Sequence, residues 1–276
     1  MYEPIYGVET IPLCLPRHGA NPRGVGRAGE VWRLCQDVAV QASIRVGWPP
    51  ERYTRRGAGF VVYGMTARHH RELPYGEPLR AATWMRDFRR GILSSREVRL
   101  YGDQGPVADV TQRWVHVGEG FKPCRADPEL VSAFTLVEGL EPPVELPELA
   151  TQIDSPEQAF RFEVWHTWMD PLGHVNHPAY VDWCDEATSR ALSARGVDPQ
   201  LLVPVAESVE WKKGALAGDP ILVSSRALGW TADDAAVLRH RILSATQPEV
   251  VYALATTVRR VLGGGSEPIL DAMSGG

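Results

Sequence analysis

Cysteine pairs are the first feature that this sequence lacks. Its four cysteines, Cys14, Cys35, Cys124 and Cys184, lie far apart, and none belongs to a C-x-x-C pair or has a histidine at metal-ligand spacing. This pattern indicates neither a disulfide framework nor a zinc site. We interpret the four as buried or inert thiols, and we expect neither a metal nor a cofactor.

Long apolar runs and an excess of positive charge are also missing. The first residues, MYEPIYGVETIPLCLP, carry an acid at position 3 and no apolar core of the kind found in signal peptides. No later stretch approaches the ~20 apolar residues of a membrane span. The formal net charge is −5, which gives no reason to expect a nucleic acid or a membrane as partner. A cytoplasmic location is the default expectation.

An internal repeat is present instead, with a period of about 145 residues. Residues 24–50 and 173–199 both show apolar side chains at helical spacing, and both stretches end with a glycine followed shortly by a proline. After each helix the pattern changes to alternating apolar and polar residues, which predicts a meander of antiparallel strands. The turns YGEPL (75–79) and AGDPI (217–221) occupy equivalent places in the two copies.

The repeat divides the chain into four parts. We predict a first repeat over 1–120, a linker rich in proline and glutamate over 121–157, a second repeat over 158–264 and a flexible tail over 265–276. The expected architecture is α+β, with two long central helices that are each wrapped by a curved antiparallel sheet. Pairing of the two copies would cover the exposed face and edge of each sheet.

The stretch MDPLGHVNHPAYVDW (169–183) places several potentially reactive side chains just before the second helix. Asp170, His174, Asn176 and His177 surround Gly173. The first N–H groups of a helix have no partners within the helix, and together with the macrodipole they favour negative charge. A carboxylate would therefore stand one short loop from a group of free N–H donors.

The string DPLGHVNHPAY resembles that of the 4-hydroxybenzoyl-CoA thioesterase group, and the duplicated unit resembles the acyl carrier protein (ACP) thioesterases with a double hot-dog fold. The resemblance implies a tandem hot-dog fold and cleavage of an acyl thioester. Leu172, Gly214 and Ala215 stand where the plant-type enzymes have Asn, Glu and Cys. This departure favours the simpler arrangement of an acid beside a helix N-terminus.

The resemblance implies roles for seven residues. The expected catalytic residues are Asp170, His174 and Asn176. The expected substrate-binding residues are Gly173, His177, Tyr180 and Trp183. Asp170 would attack the acyl carbon or take a proton from water, and the residues leave both roles open.

Simpler interpretations compete for several of these residues. Asp170, Pro171 and Gly173 are also typical of a plain turn. Asn176 is a good helix cap, and the His177 ring would then face solvent. The tryptophans near the motif suit either an acyl tunnel or core packing.

The first repeat has no acid at the equivalent place. Its loop, ANPRGVGRAG, carries Arg23 and Arg27, so we expect one catalytic centre per chain. The glycine-rich helix start there would suit a phosphate of a carrier arm.

The predicted function is a cytoplasmic thioesterase that hydrolyses an acyl-ACP or acyl-CoA thioester in fatty acid or polyketide metabolism. Basic groups at 85–91 would suit an acidic carrier protein, and one assembly consistent with the sequence is a homodimer of double hot-dogs. Two alternatives stay open, namely a hot-dog dehydratase or hydratase acting on a β-hydroxyacyl thioester, and a non-catalytic protein that binds acyl thioesters.

Overall fold

The computed structural model describes residues 6–274. Each repeat contains one short strand, one long helix and then four antiparallel strands. The elements of the first repeat are β1 (Glu9–Cys14), α1 (Ala28–Arg45), α2 (Pro50–Arg55), β2 (Gly59–His69), β3 (Pro78–Arg89), β4 (Leu93–Gly102) and β5 (Gly105–Val117). The linker contains α3 (Pro128–Ala133) and β6 (Leu149–Gln152). The elements of the second repeat are β7 (Gln158–Glu163), α4 (Ala179–Ala194), β8 (Leu202–Trp211), β9 (Pro220–Thr231), β10 (Ala236–Ser244) and β11 (Val251–Val261), and α5 (Glu267–Ser274) follows.

The two repeats share one eleven-stranded sheet. Its strand order is β1-β3-β4-β5-β2-β8-β11-β10-β9-β6, with β7 also paired to β9. The repeats join where β2 pairs antiparallel with β8, from Gly64 opposite Glu210 to Arg68 opposite Ala206. The sheet therefore continues across the boundary between the copies.

The long helices form where apolar residues recur at helical spacing. Trp32 on α1 and Tyr180 on α4 are both buried in one core, which also takes residues from the strands of both repeats. Gly47 ends the first helix with a φ of +84°, and Gly196 ends the second with a φ of +74°. Glycine adopts this left-handed conformation without steric cost, so the predicted stop signals are confirmed.

The C-terminal prediction is wrong for the residues that the structure describes. The chain over 267–274 is helix α5 rather than a flexible tail, and it buries Ile269, Ala272 and Met273. These side chains share a small core with Leu192 of α4. Their three- and four-residue spacing places them on one helix face, and burial of that face holds the segment on the second repeat. Residues 275–276 of the predicted tail lie outside the described residues, as do residues 1–5 of the first repeat.

The cysteine prediction holds for two of the four residues. Cys35 and Cys184 are buried, whereas Cys124 is half-buried and Cys14 is exposed. No helix in residues 6–274 is both long and apolar enough to cross a membrane.

Candidate active site

The loop before α4 is a tight turn organised by Asp170. The carboxylate Oδ1 of Asp170 accepts the N–H of Leu172 at 2.8 Å and the N–H of His174 at 3.4 Å. The N–H of Asp170 in turn donates to the carbonyl oxygen of His174 at 2.7 Å. Gly173 has a φ of +79°, a conformation that its lack of a Cβ permits. Within residues 6–274, Oδ2 of Asp170 accepts no hydrogen bond.

The first repeat makes the same turn with an amide in place of the acid. Oδ1 of Asn21 accepts the N–H of Arg23 at 2.9 Å and the N–H of Val25 at 3.3 Å. Arg23 forms a two-point ion pair with Glu72. Because this guanidinium already has a carboxylate partner, the predicted phosphate site in the first repeat is not supported. Asp170 therefore brings a carboxylate to its turn, whereas Asn21 brings a neutral amide to the equivalent turn.

A cavity of about 740 Å³ lies beside the Asp170 loop. Asp170, His174, Asn176, His177 and Tyr180 form one part of its wall. Most of the remaining wall comes from the first repeat, including α1, α2 and strands β2 to β5. The second repeat therefore supplies the predicted reactive groups, and the first repeat supplies most of the space.

His174 is held between two residues that are distant in sequence. Its ring makes an edge-on contact with Phe121, with ring centroids 4.3 Å apart. On the other side it lies against Gly214, where an added Cβ would come within 2.6 Å of the His174 ring. Position 214 is thus without a side chain because the imidazole occupies that space.

His177 does not face solvent, so that prediction is wrong. Its ring lies edge-on to Trp114 at 6.4 Å and to Trp211 at 5.3 Å, and its Nε2 is buried without a hydrogen-bond partner. Burial, with a smaller effect from the charge of Arg33, lowers the pKa of His177 to about 3. The imidazole is therefore neutral at physiological pH, and so weak a base does not suit general base catalysis.

Asn176 is not the helix cap. Pro178 takes the cap position, and no side chain caps the helix there. The amide oxygen Oδ1 of Asn176 is buried in the cavity wall without a hydrogen-bond partner. Buried polar atoms are nearly always satisfied in folded proteins, so this oxygen is placed for a donor on a ligand or a water.

The helix N-terminus offers fewer free donors than expected. The N–H groups of Ala179, Tyr180 and Val181 donate to the carbonyl oxygens of residues 176–178 at 3.0 to 3.3 Å. The N–H of His177, just ahead of the helix, has no partner within residues 6–274. The available backbone donor therefore lies before the first turn of the helix.

Tyr180 supplies a second donor. Its hydroxyl oxygen accepts the N–H of Ala215 at 3.0 Å, and the side chain lines the cavity. Burial raises the pKa of Tyr180; the contact with the N–H of Ala215 opposes this in part, and Tyr252, Asp219 and Asp170 add smaller raising effects. The hydroxyl therefore keeps its proton and can donate it in a hydrogen bond.

Two of the predicted substrate-binding residues do not line the cavity. Gly173 lies at the exposed tip of the turn, and its N–H is used by the carbonyl oxygen of Asp170 at 3.0 Å. Trp183 is 3% exposed and packs in the core against Phe162 and Tyr180. Their roles are a turn and core packing.

Several cavity residues were missed by the sequence analysis. Trp114 contacts the His177 ring, Asp37 of α1 brings a second carboxylate, and Arg96 of β4 brings a buried guanidinium. Strands and helices that are distant in sequence carry them, and only the fold brings them together. Within the described residues, no group of three His, Cys, Asp or Glu side chains is placed to hold a metal ion.

Comparison with known families gives a match that lies in the second repeat. Residues 164–264 match the family model of the thioesterase-like superfamily. The matched residues contain the Asp170 turn, α4 and strands β8 to β11.

Solved structures resemble the whole double unit. A structure described as an oleoyl thioesterase from Lactobacillus plantarum has a TM-score of 0.75 at 17% identity, covering 92% of this chain and 96% of that chain. The 12:0-ACP thioesterase from Umbellularia californica has a TM-score of 0.72 at 12% identity, covering 92% and 94%. An acyl-ACP thioesterase from Bacteroides thetaiotaomicron has a TM-score of 0.68 at 12% identity, covering 92% and 98%.

These likenesses establish the fold. The chain has the double hot-dog fold, as predicted, and the second repeat is one half of it. Among curated proteins, no sequence matches this chain significantly.

Proposed function

We propose that this protein hydrolyses an acyl thioester of acyl carrier protein or coenzyme A, with Asp170 at the reaction centre. One observation carries the proposal: Asp170, His177 and Tyr180 line the same large cavity. The thioesterase-like second repeat and the fold shared with acyl-ACP thioesterases support it.

In the proposed reaction, Asp170 acts as a general base. Its free Oδ2 takes a proton from a water molecule while the water oxygen bonds to the acyl carbon. The unpartnered Oδ1 of Asn176 accepts the other hydrogen of that water. This need for a donor at Asn176 favours attack by water over direct attack by the carboxylate.

The charge that develops on the thioester oxygen needs donors in place before the reaction. The N–H of His177 and the O–H of Tyr180 supply them, and such donors are effective because the site is shielded from water. Collapse of the tetrahedral intermediate breaks the C–S bond. The thiolate takes the proton held by Asp170, and the products are a carboxylic acid and a free thiol.

His174 has a positioning role in this proposal. Its ring lies between Phe121 and Gly214, and its backbone N–H and carbonyl oxygen both bond to Asp170. The imidazole therefore fixes the loop that carries the carboxylate.

The test compares thiol release from a panel of acyl-CoA and acyl-ACP thioesters by wild type and Asp170→Asn. The asparagine keeps the Oδ1 acceptor, so the turn survives as it does at Asn21, and kcat is expected to fall about 10²- to 10⁴-fold. Rapid quenching and intact-mass measurement of the wild type should show no acyl adduct on the chain.

Asp198→Asn is the matched control. Asp198 makes the same type of turn contact, accepting the N–H of Gln200 at 2.9 Å, but it does not line the cavity. Its variant should retain the wild-type rate. Equal rates for wild type and Asp170→Asn would remove Asp170 from the mechanism, and tight binding without turnover would favour a non-catalytic acyl-binding protein.

No observation favours the dehydratase or hydratase alternative. Such an enzyme would need a histidine paired with a carboxylate, and within residues 6–274 the His174 ring bonds to none. The choice between the two carriers, the cytoplasmic location and the homodimer stay predictions.

A further inference from the structure

Several residues of the cavity wall carry buried polar atoms that have no hydrogen-bond partner. A purely aliphatic acyl chain would leave them without one. Three are hydrogen-bond donors on strands, namely Oγ of Ser94, Nε1 of Trp114 and Nε1 of Trp211, and all three are buried without a partner. Because burying a polar group without a hydrogen bond is unfavourable, these donors point to an oxygen-bearing ligand.

Arg96 is the decisive residue in this wall. Three arginines are buried among the described residues, namely Arg96, Arg99 and Arg259. Arg99 bonds to Glu97 and Glu141, and Arg259 bonds to Asp185 and Glu207.

Arg96 has no carboxylate partner. It is 5% exposed, its Nη1 donates only to the Thr83 hydroxyl at 3.1 Å, and its guanidinium carbon lies 5.7 Å from the Phe134 ring centre. Within residues 6–274, its Nε and Nη2 donate to no protein atom. Burial lowers the pKa of Arg96 to about 10, so the side chain keeps its charge at neutral pH.

Tyr53 and Glu9 offset part of the effect of burial on the pKa of Arg96, but neither forms an ion pair with it within residues 6–274. Glu9 shares a small neighbouring cavity with Arg96, but its carboxylate is bonded to Arg45 at 3.0 Å. The Tyr53 hydroxyl shares a hydrogen bond with Ser43, and burial raises the pKa of Tyr53, so this phenol is uncharged. Asp37 lines the same large cavity from an exposed position on α1.

The sheet separates Arg96 from the part of the Asp170 loop that contacts β8. Trp211, beside His177, ends β8, and β2 and β5 lie between β8 and the β4 strand that carries Arg96, so roughly 14 Å of sheet separates β4 from β8. Ser94 is nearer to the loop, because it lies opposite Trp114 on β5, and the Trp114 ring contacts His177. Ser94 and Arg96 are two residues apart on β4, so their side chains point to the same face.

We propose that the acyl group of the substrate ends in a carboxylate, which Arg96 and Ser94 bind where β4 lines the cavity. This inference rests on the proposed thioesterase function and narrows its substrate class to ω-carboxyacyl thioesters. The planar guanidinium matches a carboxylate with two parallel hydrogen bonds. A methyl-terminated chain would leave the charge and the strand donors unpaired.

The test compares matched pairs of substrates. Adipoyl-, suberoyl-, sebacoyl- and dodecanedioyl-CoA are measured against hexanoyl-, octanoyl-, decanoyl- and lauroyl-CoA, with ω-hydroxyacyl-CoA thioesters as a third series. At the length that reaches Arg96, kcat/KM of the wild type should favour the ω-carboxylate by about tenfold or more, as expected for a charged hydrogen bond.

The Arg96→Met variant should lose that preference and hydrolyse methyl-terminated substrates at least as well as the wild type. Arg96→Lys should show an intermediate preference, because lysine keeps the positive charge but lacks the planar guanidinium that forms two parallel hydrogen bonds to a carboxylate. Ser94→Ala is a milder second variant that should reduce the preference in the same direction. Arg113→Met is the control, since Arg113 lies on the adjacent β5 strand and does not line the cavity.

A binding measurement separates this inference from the proposed function. Titration calorimetry with non-hydrolysable S-alkyl-CoA and S-(ω-carboxyalkyl)-CoA thioethers needs no catalysis. An Arg96-dependent preference for the carboxylate with no hydrolysis of any thioester would overturn the proposed function alone. A preference for methyl or hydroxyl ends at every length, or a carboxylate preference unchanged in Arg96→Met, would overturn this inference.

Discussion

At the scale of single residues, Asp170 combines a structural contact with a charge. Its Oδ1 holds the turn through the N–H groups of Leu172 and His174. Asn21 makes the equivalent contacts in the first repeat, so an amide satisfies this turn equally well. The turn therefore requires an oxygen acceptor at position 170 but not a negative charge. We attribute the charge of Asp170 to its proposed role in the reaction.

The absence of a side chain at Gly214 is explained by the neighbouring His174 ring. A Cβ there would collide with the His174 ring. A side chain at position 214, such as the glutamate of the plant-type enzymes, is therefore incompatible with the observed position of His174.

Tyr180 gives a prediction at this scale. Tyr180→Phe removes a donor aimed at the developing oxyanion, and kcat should fall by about 10²-fold, as for loss of one oxyanion donor. The substitution also leaves the buried N–H of Ala215 without its acceptor, which costs about 1–3 kcal/mol of stability. Steady-state kinetics and urea unfolding measure the two effects.

Tyr252→Phe is the control for Tyr180→Phe. The Tyr252 hydroxyl donates to Asp219 at 2.9 Å, and the residue does not line the cavity. Its loss should lower stability and leave kcat unchanged. A kcat for Tyr180→Phe equal to that of Tyr252→Phe would exclude Tyr180 as an oxyanion donor.

The sequence motif was sufficient to find the loop, but not the surroundings of each side chain. Local spacing predicted an acid before a helix start, and the structure places Asp170 there. The burial of His177 depends on Trp114 and Trp211, which reach it from distant strands. The unpaired state of Arg96 likewise depends on which side chains the fold brings near it, and the spacing of residues along β4 does not contain that information.

At the scale of secondary structure elements, α5 shows how composition can mislead. The glycines at 263–265 are typical of a mobile linker, and they led to the prediction of a tail. The next residues nevertheless carry Ile269, Ala272 and Met273 at helical spacing. That apolar stripe was a usable signal for a packed helix.

The packing of α5 gives a second prediction. Ile269 is fully buried, and Ile269→Ala should reduce the free energy of unfolding by about 2–4 kcal/mol, because it removes buried methyl groups and leaves a cavity. Leu270→Ala, at a partly buried neighbour, should cost less. Urea unfolding measures both variants, and equal losses would show that α5 is not packed as described.

At the scale of the whole molecule, buried charges tie the repeats together. Glu207 of β8 bonds to His69 at 2.8 Å and to Trp32 at 3.0 Å, both from the first repeat. Arg259 of β11 bonds to the same carboxylate. Separation of the repeats would remove the His69 and Trp32 partners of this buried carboxylate and leave it with Arg259 alone, which is unfavourable. We therefore expect the two repeats to unfold as one unit.

The duplicated pattern predicted two similar units and their pairing, but not the strands that join them. Every strand of the meander has an apolar face, so periodicity alone does not distinguish the joining strand from its neighbours. The contact of β2 with β8 is specified by long-range partners such as Met65 opposite Val209. Such pairings depend on the assembled core rather than on local sequence.

The same buried network makes the stability of the molecule sensitive to acid. Although burial alone would raise it, contacts with His69 and Arg259 lower the pKa of Glu207 to about 2. Burial lowers the pKa of His240 to about 3, with a smaller effect from the charge of Arg259. Both groups bind a proton more readily in the unfolded chain, so the free energy of unfolding falls as the pH falls. The histidine contributes below its unfolded pKa of about 6.5, and the glutamate contributes below about 4.5.

His240→Gln tests this dependence. His240 is fully buried, and its two ring nitrogens bond to the Ser225 and Thr257 hydroxyls. Burial opposes its protonation. Between about pH 7 and about pH 5, this one residue should account for about 2 kcal/mol of lost stability in the wild type. The variant is expected to be less stable at neutral pH but to lose about 2 kcal/mol less over that interval. His166→Gln replaces an exposed histidine and should keep the wild-type dependence. If urea unfolding shows that His240→Gln loses as much stability as the wild type over this interval, the His240 imidazole is not the source of the acid sensitivity. His177, whose pKa burial also lowers to about 3, then becomes the expected source.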